Sequence, residues 1–345
     1  MNVMKKESKI KILSAISLTE QQVERIKAVD EHIEVHWYGR KDADRIPAEV
    51  WRDAEILLTS GSPLPPPDQT PALKWVQYYF AGIEKEFQQQ VFLRRGVRLT
   101  GASGTMISQM GEYVLMALLM LGHKAPEMLR AQERKAWLEP RADKLEPVEL
   151  RGSTVGIVGY GSIGREVARL LYAFGAKVLA TKRDVMHPED KGYIPEGLGD
   201  PMGNYFQRLY PNEALNAMLK ECDFVVVSPP LTAETQKMIS SAQFAAMKPG
   251  AYLVNVSRGQ VLDTDALVEA AKSGRLGGAV LDVFEEEPLP AGSPLWELPN
   301  VIITPHIAGV SKRSKDTLLD LFTVNINRYL KGLELYNLID PELGY

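Results

Sequence analysis

Val155-Gly156-Ile157-Val158-Gly159-Tyr160-Gly161-Ser162-Ile163-Gly164 is a β-branched run that ends in three spaced glycines. Apolar residues then recur at Ile163, Val167, Leu170, Leu171 and Phe174, a helical period. By itself, G-x-G-x-x-G is also what a glycine-rich turn without a ligand looks like. Between a strand and a helix it is the dinucleotide-binding fingerprint. Gly159 is expected to permit the tight turn, Gly161 to let a pyrophosphate approach the backbone, and Gly164 to let the helix lie close on the strand. The N–H groups at the start of the helix, those of Ser162 and Ile163 among them, together with the positive end of the helix dipole, favour phosphate.

Working outward from that turn, strands are expected at Val155–Gly159, Lys177–Thr181, Asp223–Val227, Tyr252–Val256, Ala279–Val283 and Val301–Thr304, alternating with helical stretches. That alternation is the pattern of βαβ units in one doubly wound parallel sheet. A short edge strand is placed near Tyr205–Tyr210, and the Pro- and Gly-rich segment Met186–Pro211 reads mainly as an irregular excursion. Toward the N-terminus a looser alternation predicts strands at Lys9–Ile16, Ile33–Tyr38, Glu55–Thr59, Trp75–Tyr79 and Arg98–Thr100, a second α/β domain. Ser60-Gly61-Ser62-Pro63-Leu64-Pro65-Pro66-Pro67 is a stiff loop leaving one of these strands. Ile107–Leu121, apolar almost all round, reads as a helix buried between domains or in a subunit interface.

The whole chain of 345 residues sets a prior of two domains. With 45% hydrophobic and 24% charged residues there is ample material for a core, which excludes disorder as the main theme. A formal charge of −4 lacks the basic footprint of a nucleic-acid binder. The lone Cys222 allows neither an intrachain disulfide nor a cysteine metal cage, as expected in a reducing compartment. Lys5, Lys6, Lys9 and Lys11 ahead of Ile12–Leu18 imitate a secretion signal, but the apolar segment is short, holds two serines and lacks a small-x-small site. The strongly apolar run Tyr113–Leu121 is far short of the roughly 20 residues that span a bilayer. A cytoplasmic protein with no membrane partner is the expectation.

The end of the second strand of the fingerprint unit speaks to the choice of dinucleotide. An Asp or Glu there would bind the ribose hydroxyls of NAD, whereas this strand ends Ala180-Thr181-Lys182-Arg183. Lys182 or Arg183 at that place suits a 2′-phosphate, so NADP(H) is expected to be preferred. Two solvent-facing cations with Asp184 swung toward the ribose would instead allow NAD(H).

Three polar residues follow three later strands: Arg258, Glu287 and His306. In a parallel sheet the C-terminal strand ends share one edge, spaced about 4.8 Å, beside the glycine turn. His32, His36, His123 and His187 have no comparable placement. A guanidinium can bind a substrate carboxylate bidentately and an imidazole can exchange the hydroxyl proton, while a carboxylate orients the imidazole and favours its charged form.

With these residues in view, the chain resembles the D-isomer-specific 2-hydroxyacid dehydrogenases, NAD(P)-dependent enzymes that include glyoxylate and hydroxypyruvate reductases and phosphoglycerate dehydrogenases. The resemblance rests on the fingerprint, on Pro230-Leu231-Thr232-Ala233-Glu234-Thr235, Asn255-Val256-Ser257-Arg258-Gly259, Leu281-Asp282-Val283-Phe284-Glu285-Glu286-Glu287-Pro288 and Pro305-His306-Ile307-Ala308-Gly309. It implies Arg258 on the substrate carboxylate and keto oxygen, and His306 paired with Glu287 as acid/base. Glu287 is the glutamate that precedes the proline; Glu285 and Glu286 are left to solvent. Cofactor contacts are implied for Pro230, Thr235, Val256, Asp282 (to the nicotinamide carboxamide), His306 and Gly309. Substrate loops are implied at Ser60 and Gly61 and at Tyr78–Ile83, with Ala81 and Gly82 receiving the carboxylate; otherwise Tyr78 and Phe80 are core or cleft aromatics.

The same resemblance implies a Rossmann-type domain, residues 106–310, inserted into a flavodoxin-like α/β substrate domain of residues 1–105 plus 311–345, and a homodimer. The implied reaction is hydride transfer to the C2 carbonyl of a small 2-keto acid. Thr59-Ser60 stands where phosphoglycerate dehydrogenases carry an arginine, and no length remains after Lys331 for a regulatory domain, so that activity is the lesser alternative. A dinucleotide-sensing regulator of the same fold is another.

Overall fold

The computed structural model describes residues 9–61, 64, 66–82 and 96–340. The lysines of the signal-like start before residue 9, Ser62, Pro63 and Pro65 of the stiff loop, and Ile83 of the second loop lie outside the described residues. The chain divides into two compact units, Met1–Thr105 with Lys312–Tyr345, and Met106–Ser311.

In the first unit β1 (Ile10–Ser14), β2 (Ile33–Trp37), β3 (Ile56–Thr59), β4 (Trp75–Tyr78) and β5 (Arg98–Thr100) form a wholly parallel sheet of order β2-β1-β3-β4-β5. This is the flavodoxin-like order. Helix α1 (Glu20–Lys27) starts on a capping box in which Thr19 and Gln22 satisfy each other's backbone N–H groups, and α2 (Ala48–Asp53) follows. Every residue of β3 and β4 is buried, as a parallel sheet covered on both faces demands. Part of that cover arrives from the far end of the chain, well after the second unit is complete. Leu318, Leu319, Phe322 and Ile326 join the β1–β4 core from a helix at Ser314–Leu330, and Trp75 lies 5.3 Å from Phe322 and 5.7 Å from Tyr329, ring to ring.

The second unit opens with α3 (Ile107–Gly122), α4 (Ala125–Glu133) and α5 (Arg141–Leu145). Its sheet contains β6 (Thr154–Val158), β7 (Lys177–Thr181), β8 (Arg208–Tyr210), β9 (Phe224–Val227), β10 (Ala251–Asn255), β11 (Leu276–Leu281) and β12 (Val301–Ile303). The order is β12-β11-β10-β9-β6-β7-β8, all parallel. Strand order therefore reverses between β6 and β9, the switch point where doubly wound sheets bind ligands. The remaining helices are α6 (Ser162–Phe174), α7 (Leu215–Leu219), α8 (Ser241–Ala246), α9 (Thr264–Lys272) and, back in the first unit, α10 (Ser314–Leu330).

One expectation needs correction. The strand expected at Ala279–Val283 is Leu276–Leu281, because Gly277 and Gly278, poor strand formers, are tolerated where backbone packs close: a Cβ on Gly277 would stand 2.4 Å from Gly250 O. One face of α3 is buried inside its own unit. Met110, Val114, Ala117, Leu118 and Leu121 pack into the sheet core with residues of α6, and a Cβ on Gly111 would stand 2.9 Å from Leu170 Cδ1 and Glu166 Cγ, while Met116 on the other side is 45% exposed. Among the described residues no helix is long and apolar enough to cross a membrane.

Candidate active site

Between β6 and α6 the three glycines are shaped by three different constraints. Gly159 has φ +93°, and a Cβ there would stand 2.8 Å from Pro229 N, so this turn needs both the left-handed backbone and the close approach. Gly164 would place a Cβ 2.6 Å from Gly159 O and 2.9 Å from Ile157 Cγ2, which is the helix resting on its strand. A Cβ on Gly161 would meet nothing within 4 Å. Space is therefore left at the one glycine beside the helix start, where Gly161 caps α6 without a side-chain cap bond. A pyrophosphate fits this donor set.

At the end of β7 two candidate readers of the adenosine ribose, Lys182 and Asp184, have local partners. Lys182 Nζ donates to the carbonyls of His187 and Glu189. Asp184 accepts from Met186 N (3.0 Å) and lies 2.7 Å from His187 Nδ1. The His187 hydrogen bond holds the Asp184 carboxyl below its ordinary value despite some desolvation. Arg183 is exposed.

The excursion after this strand end has no helix or strand before β8, yet it is tied down by charge. Arg165, 1% exposed, donates from Nη1 to Asp200 O (2.5 Å) and from Nη2 to Pro188 O, and its Nε lies 3.3 Å from Asp190. Asp200 accepts from Tyr160 Oη (2.5 Å), Asn204 N and Tyr205 N. Gly199 N donates to Glu166, whose carboxylate also takes two bonds from Arg169. Tyr160, Arg165 and Glu166 belong to the fingerprint turn and the first turns of its helix, so the excursion is fastened to the glycine turn and its helix.

Beyond the switch point, Pro230–Thr235 closes on itself: Thr235 Oγ1 donates to Pro230 O (2.6 Å) and accepts from Thr232 N (2.8 Å). Val256 is 5% exposed at the end of β10, and Arg258, just after it, donates from Nη1 to Ser257 O (2.8 Å). Gly259 is what lets the next strand's loop pass: a Cβ there would lie 1.8 Å from Phe284 C and 2.2 Å from Glu285 N. That loop carries Glu287. One of its oxygens accepts from Phe284 N (2.9 Å) and the other lies 2.7 Å from His306 Nδ1. Burial pushes the Glu287 carboxyl up, but the bonds from His306 and Phe284 and the charges of His306 and Arg258 outweigh it and hold it below the ordinary value.

His306 itself adopts φ +51°, a left-handed conformation uncommon for a residue with a side chain. Asp282 imposes it. The Asp282 carbonyl accepts from His306 N (2.9 Å), and its carboxylate, 1% exposed, accepts from Ile307 N, Ala308 N and Thr304 Oγ1 at 2.9, 2.9 and 2.6 Å. Gly309 follows, where a Cβ would stand 3.5 Å from Met106 Sδ and 3.6 Å from Met110 Sδ. His32, His36 and His187 each pair with a carboxylate two or three residues away.

In the first unit, Ser60 and Gly61 leave β3, with Thr59 Oγ1 bonded to both Gly61 N and Gly61 O at 3.1 Å. Ala81 and Gly82 follow β4. Tyr78 is a core residue at 1% exposure, whereas Phe80 is 41% exposed and packs edge-on to Tyr79. Gly259, Thr304 and the Phe284 N–H are structural partners that residue type alone does not single out, although Gly259 stands next to the arginine in the motif.

An open, parallel, doubly wound sheet with a glycine turn at its switch point, and a Glu–His pair with an arginine at neighbouring strand ends, defines an NAD(P)-dependent oxidoreductase. The sequence profile described as "D-isomer specific 2-hydroxyacid dehydrogenase, NAD binding domain" matches residues 115–308. The chain belongs to that family. It is 32% identical to glyoxylate reductase of Thermococcus onnurineus over 328 residues, 92% of this chain and 93% of that protein. A D-isomer specific 2-hydroxyacid dehydrogenase of Xanthobacter autotrophicus, crystallised with NADPH and MES, superposes with a TM-score of 0.78 at 28% identity, covering 98% of this chain and 100% of that one. The NADPH-dependent glyoxylate/hydroxypyruvate reductase of Sinorhizobium meliloti, solved with NADP and sulfate, gives 0.74 at 29% identity, with coverages of 98% and 100%.

Proposed function

We propose that this dehydrogenase reduces a small, unphosphorylated 2-keto acid such as glyoxylate or hydroxypyruvate, with NADPH preferred over NADH. The observation that carries the reading is the 2.7 Å pair of Glu287 with His306 Nδ1, which leaves Nε2 as the nitrogen that can face a substrate oxygen. As imidazolium, His306 gives that proton to the oxygen of the carbonyl being reduced, and in the reverse direction it takes the proton back. Arg258 neutralises the substrate carboxylate and polarises the carbonyl. Gly159, Gly161, Ser162, Ile163 and Gly164 hold the pyrophosphate, while Pro230, Thr235, Val256 and Gly309 line the remainder of the dinucleotide. Bound NADPH supplies the hydride. Within the first unit, the turns at Ser60–Gly61 and Ala81–Gly82 are the substrate loops.

The preference for NADPH is supported by the strand end. Asp184 pairs with His187 and accepts from Met186 N, and Arg183 beside it is an exposed cation suited to a 2′-phosphate. The two crystallised relatives with NADPH or NADP support the same reading. We place the enzyme in the cytoplasm, in keeping with a single, buried thiol. A homodimer is supported by the apolar surface at Met128, Leu129 and Trp137, 43%, 53% and 81% exposed.

The decisive experiment follows NADPH oxidation with glyoxylate, hydroxypyruvate, pyruvate and longer 2-keto acids, using wild type and His306→Ala. Turnover in the wild type that the variant abolishes while still binding NADPH supports the assignment; turnover with none of the acids overturns it. A higher kcat/KM with NADH, unaffected by Arg183→Ala, would overturn the cofactor preference.

A further inference from the structure

Helix α3 contributes nothing to the chemistry as described, yet two of its side chains, one helical turn apart, reach the loop that carries His306. Gln109 Nε2 donates to Gly309 O at 2.9 Å, and Tyr113 Oη lies 2.5 Å from Thr304 Oγ1. Thr304 and Gly309 are the two ends of the segment around His306. A threonine hydroxyl has one proton, and here it goes to Asp282 Oδ1 (2.6 Å), a carboxylate oxygen that can only accept. Tyr113 must then be the donor to Thr304. The result is a directional chain, Tyr113 to Thr304 to Asp282, ending on the side chain that takes the N–H groups of Ile307 and Ala308 and whose own carbonyl takes that of His306.

We infer that Tyr113 is a positioning residue for the acid/base: through Thr304 and Asp282 it fixes the left-handed backbone at His306 and so the aim of Nδ1 at Glu287. This rests on the reading of His306 as the acid/base. The physical need is plain, because a φ of +51° at a non-glycine residue persists only where its surroundings hold it. Three successive N–H groups drawn onto one buried aspartate do that, and the aspartate in turn has a single side-chain partner, Thr304, among the bonds described above. Burial reinforces the direction of the chain: it pushes the Tyr113 hydroxyl up to about 12, against the Thr304 bond and with the Asp282 charge, so the phenol remains a donor at any working pH.

The test compares Tyr113→Phe, Thr304→Val and Thr304→Ser in the full chain, measuring kcat, KM for NADPH and melting temperature, with ¹⁵N spectra of the imidazoles. One hydrogen bond's worth of positioning corresponds to roughly a tenfold loss of kcat. Tyr113→Phe and Thr304→Val are expected to show it with KM for NADPH within about twofold. Thr304→Ser, which keeps the hydroxyl, is expected to retain wild-type turnover. In the spectra of the two damaged variants, His306 shifts away from the form protonated on Nδ1. Wild-type kcat in Tyr113→Phe and Thr304→Val, or a loss matched by the unfolded fraction with the His306 spectrum unchanged, overturns the inference. Should Tyr113→Phe not fold, the Thr304 pair decides. The spectra need no substrate, so a failure of this inference is distinguishable from a failure of the proposed reaction.

Discussion

Replacing Glu287 by glutamine removes one charge and almost no volume, and the surroundings leave the amide no satisfactory orientation. One oxygen of Glu287 now accepts from Phe284 N and the other from His306 Nδ1, so both neighbours are served by acceptors. A glutamine can serve only one. If its oxygen stays on Phe284, its NH2 faces Nδ1, which must then accept; the ring proton moves to Nε2, and the imidazolium needed for reduction loses its counter-charge. If the amide flips, two donors confront each other at Phe284.

A hydrogen bond to a charged group is worth about 1.5–3 kcal/mol. With the histidine side chain 51% and the glutamate 34% exposed, the low end applies. A loss of about 1.5–2 kcal/mol at 1.36 kcal/mol per decade is roughly a 10- to 30-fold fall in kcat. Both directions should fall, because the flipped ring proton also blocks Nε2 as a base. The assay is NADPH oxidation by glyoxylate and its reversal, each at saturating cofactor, with the melting temperature as the control for folding. A kcat within twofold of wild type in both directions would refute the argument from acceptor counting.

Three further outcomes are expected. Gly161→Ala should weaken NADPH binding while leaving the melting temperature alone, since its Cβ would meet nothing; Gly164→Ala should lower both, at a cost of about 1–3 kcal/mol, because its Cβ collides with backbone. Equal melting temperatures for the two variants would contradict the geometry, and calorimetric titration with thermal melts reads both. Because Glu287 has a folded-state pKa below its unfolded value, its stabilisation is fully present above the ordinary glutamate value of about 4.3 and is lost as pH falls through the folded value. The melting difference between wild type and Glu287→Gln should therefore be constant near neutrality and narrow on acidification; a difference that widens would reverse the sign. Burial pushes the Cys222 thiol up to about 12, so a thiol reagent should label it only on unfolding, and rapid stoichiometric labelling of the native protein would show otherwise.

Much of the second unit could be read from the chain because its signals are local. A glycine turn must lie between its strand and helix, and a parallel sheet puts the ends of β10, β11 and β12 on one edge whatever the details of packing. Arg258, Glu287 and His306 stand out as candidates for that reason. Local pattern does not show which partner a polar side chain chooses. Lys182 reads as a candidate phosphate ligand, and its ammonium caps the carbonyls of His187 and Glu189, five and seven residues on. Nor does it show long-range approach: Tyr113 and Thr304 are 191 residues apart and meet at 2.5 Å. The buried character of α3 was legible from its composition, but the sheet and α6 as its cover were not.

The excursion between β7 and β8 carries a lesson for anyone redesigning the adenosine end. Its anchors, Tyr160, Arg165 and Glu166, sit in the glycine turn and its helix and bond to Asp200, Pro188, Asp190 and Gly199. Trimming the loop alone would strand a guanidinium inside the protein, an error of about 3–5 kcal/mol for a broken buried pair. Loop and helix therefore form one transplantable cassette. A graft from a relative with a shorter connection has to bring its own residues at positions 160, 165 and 166 with it.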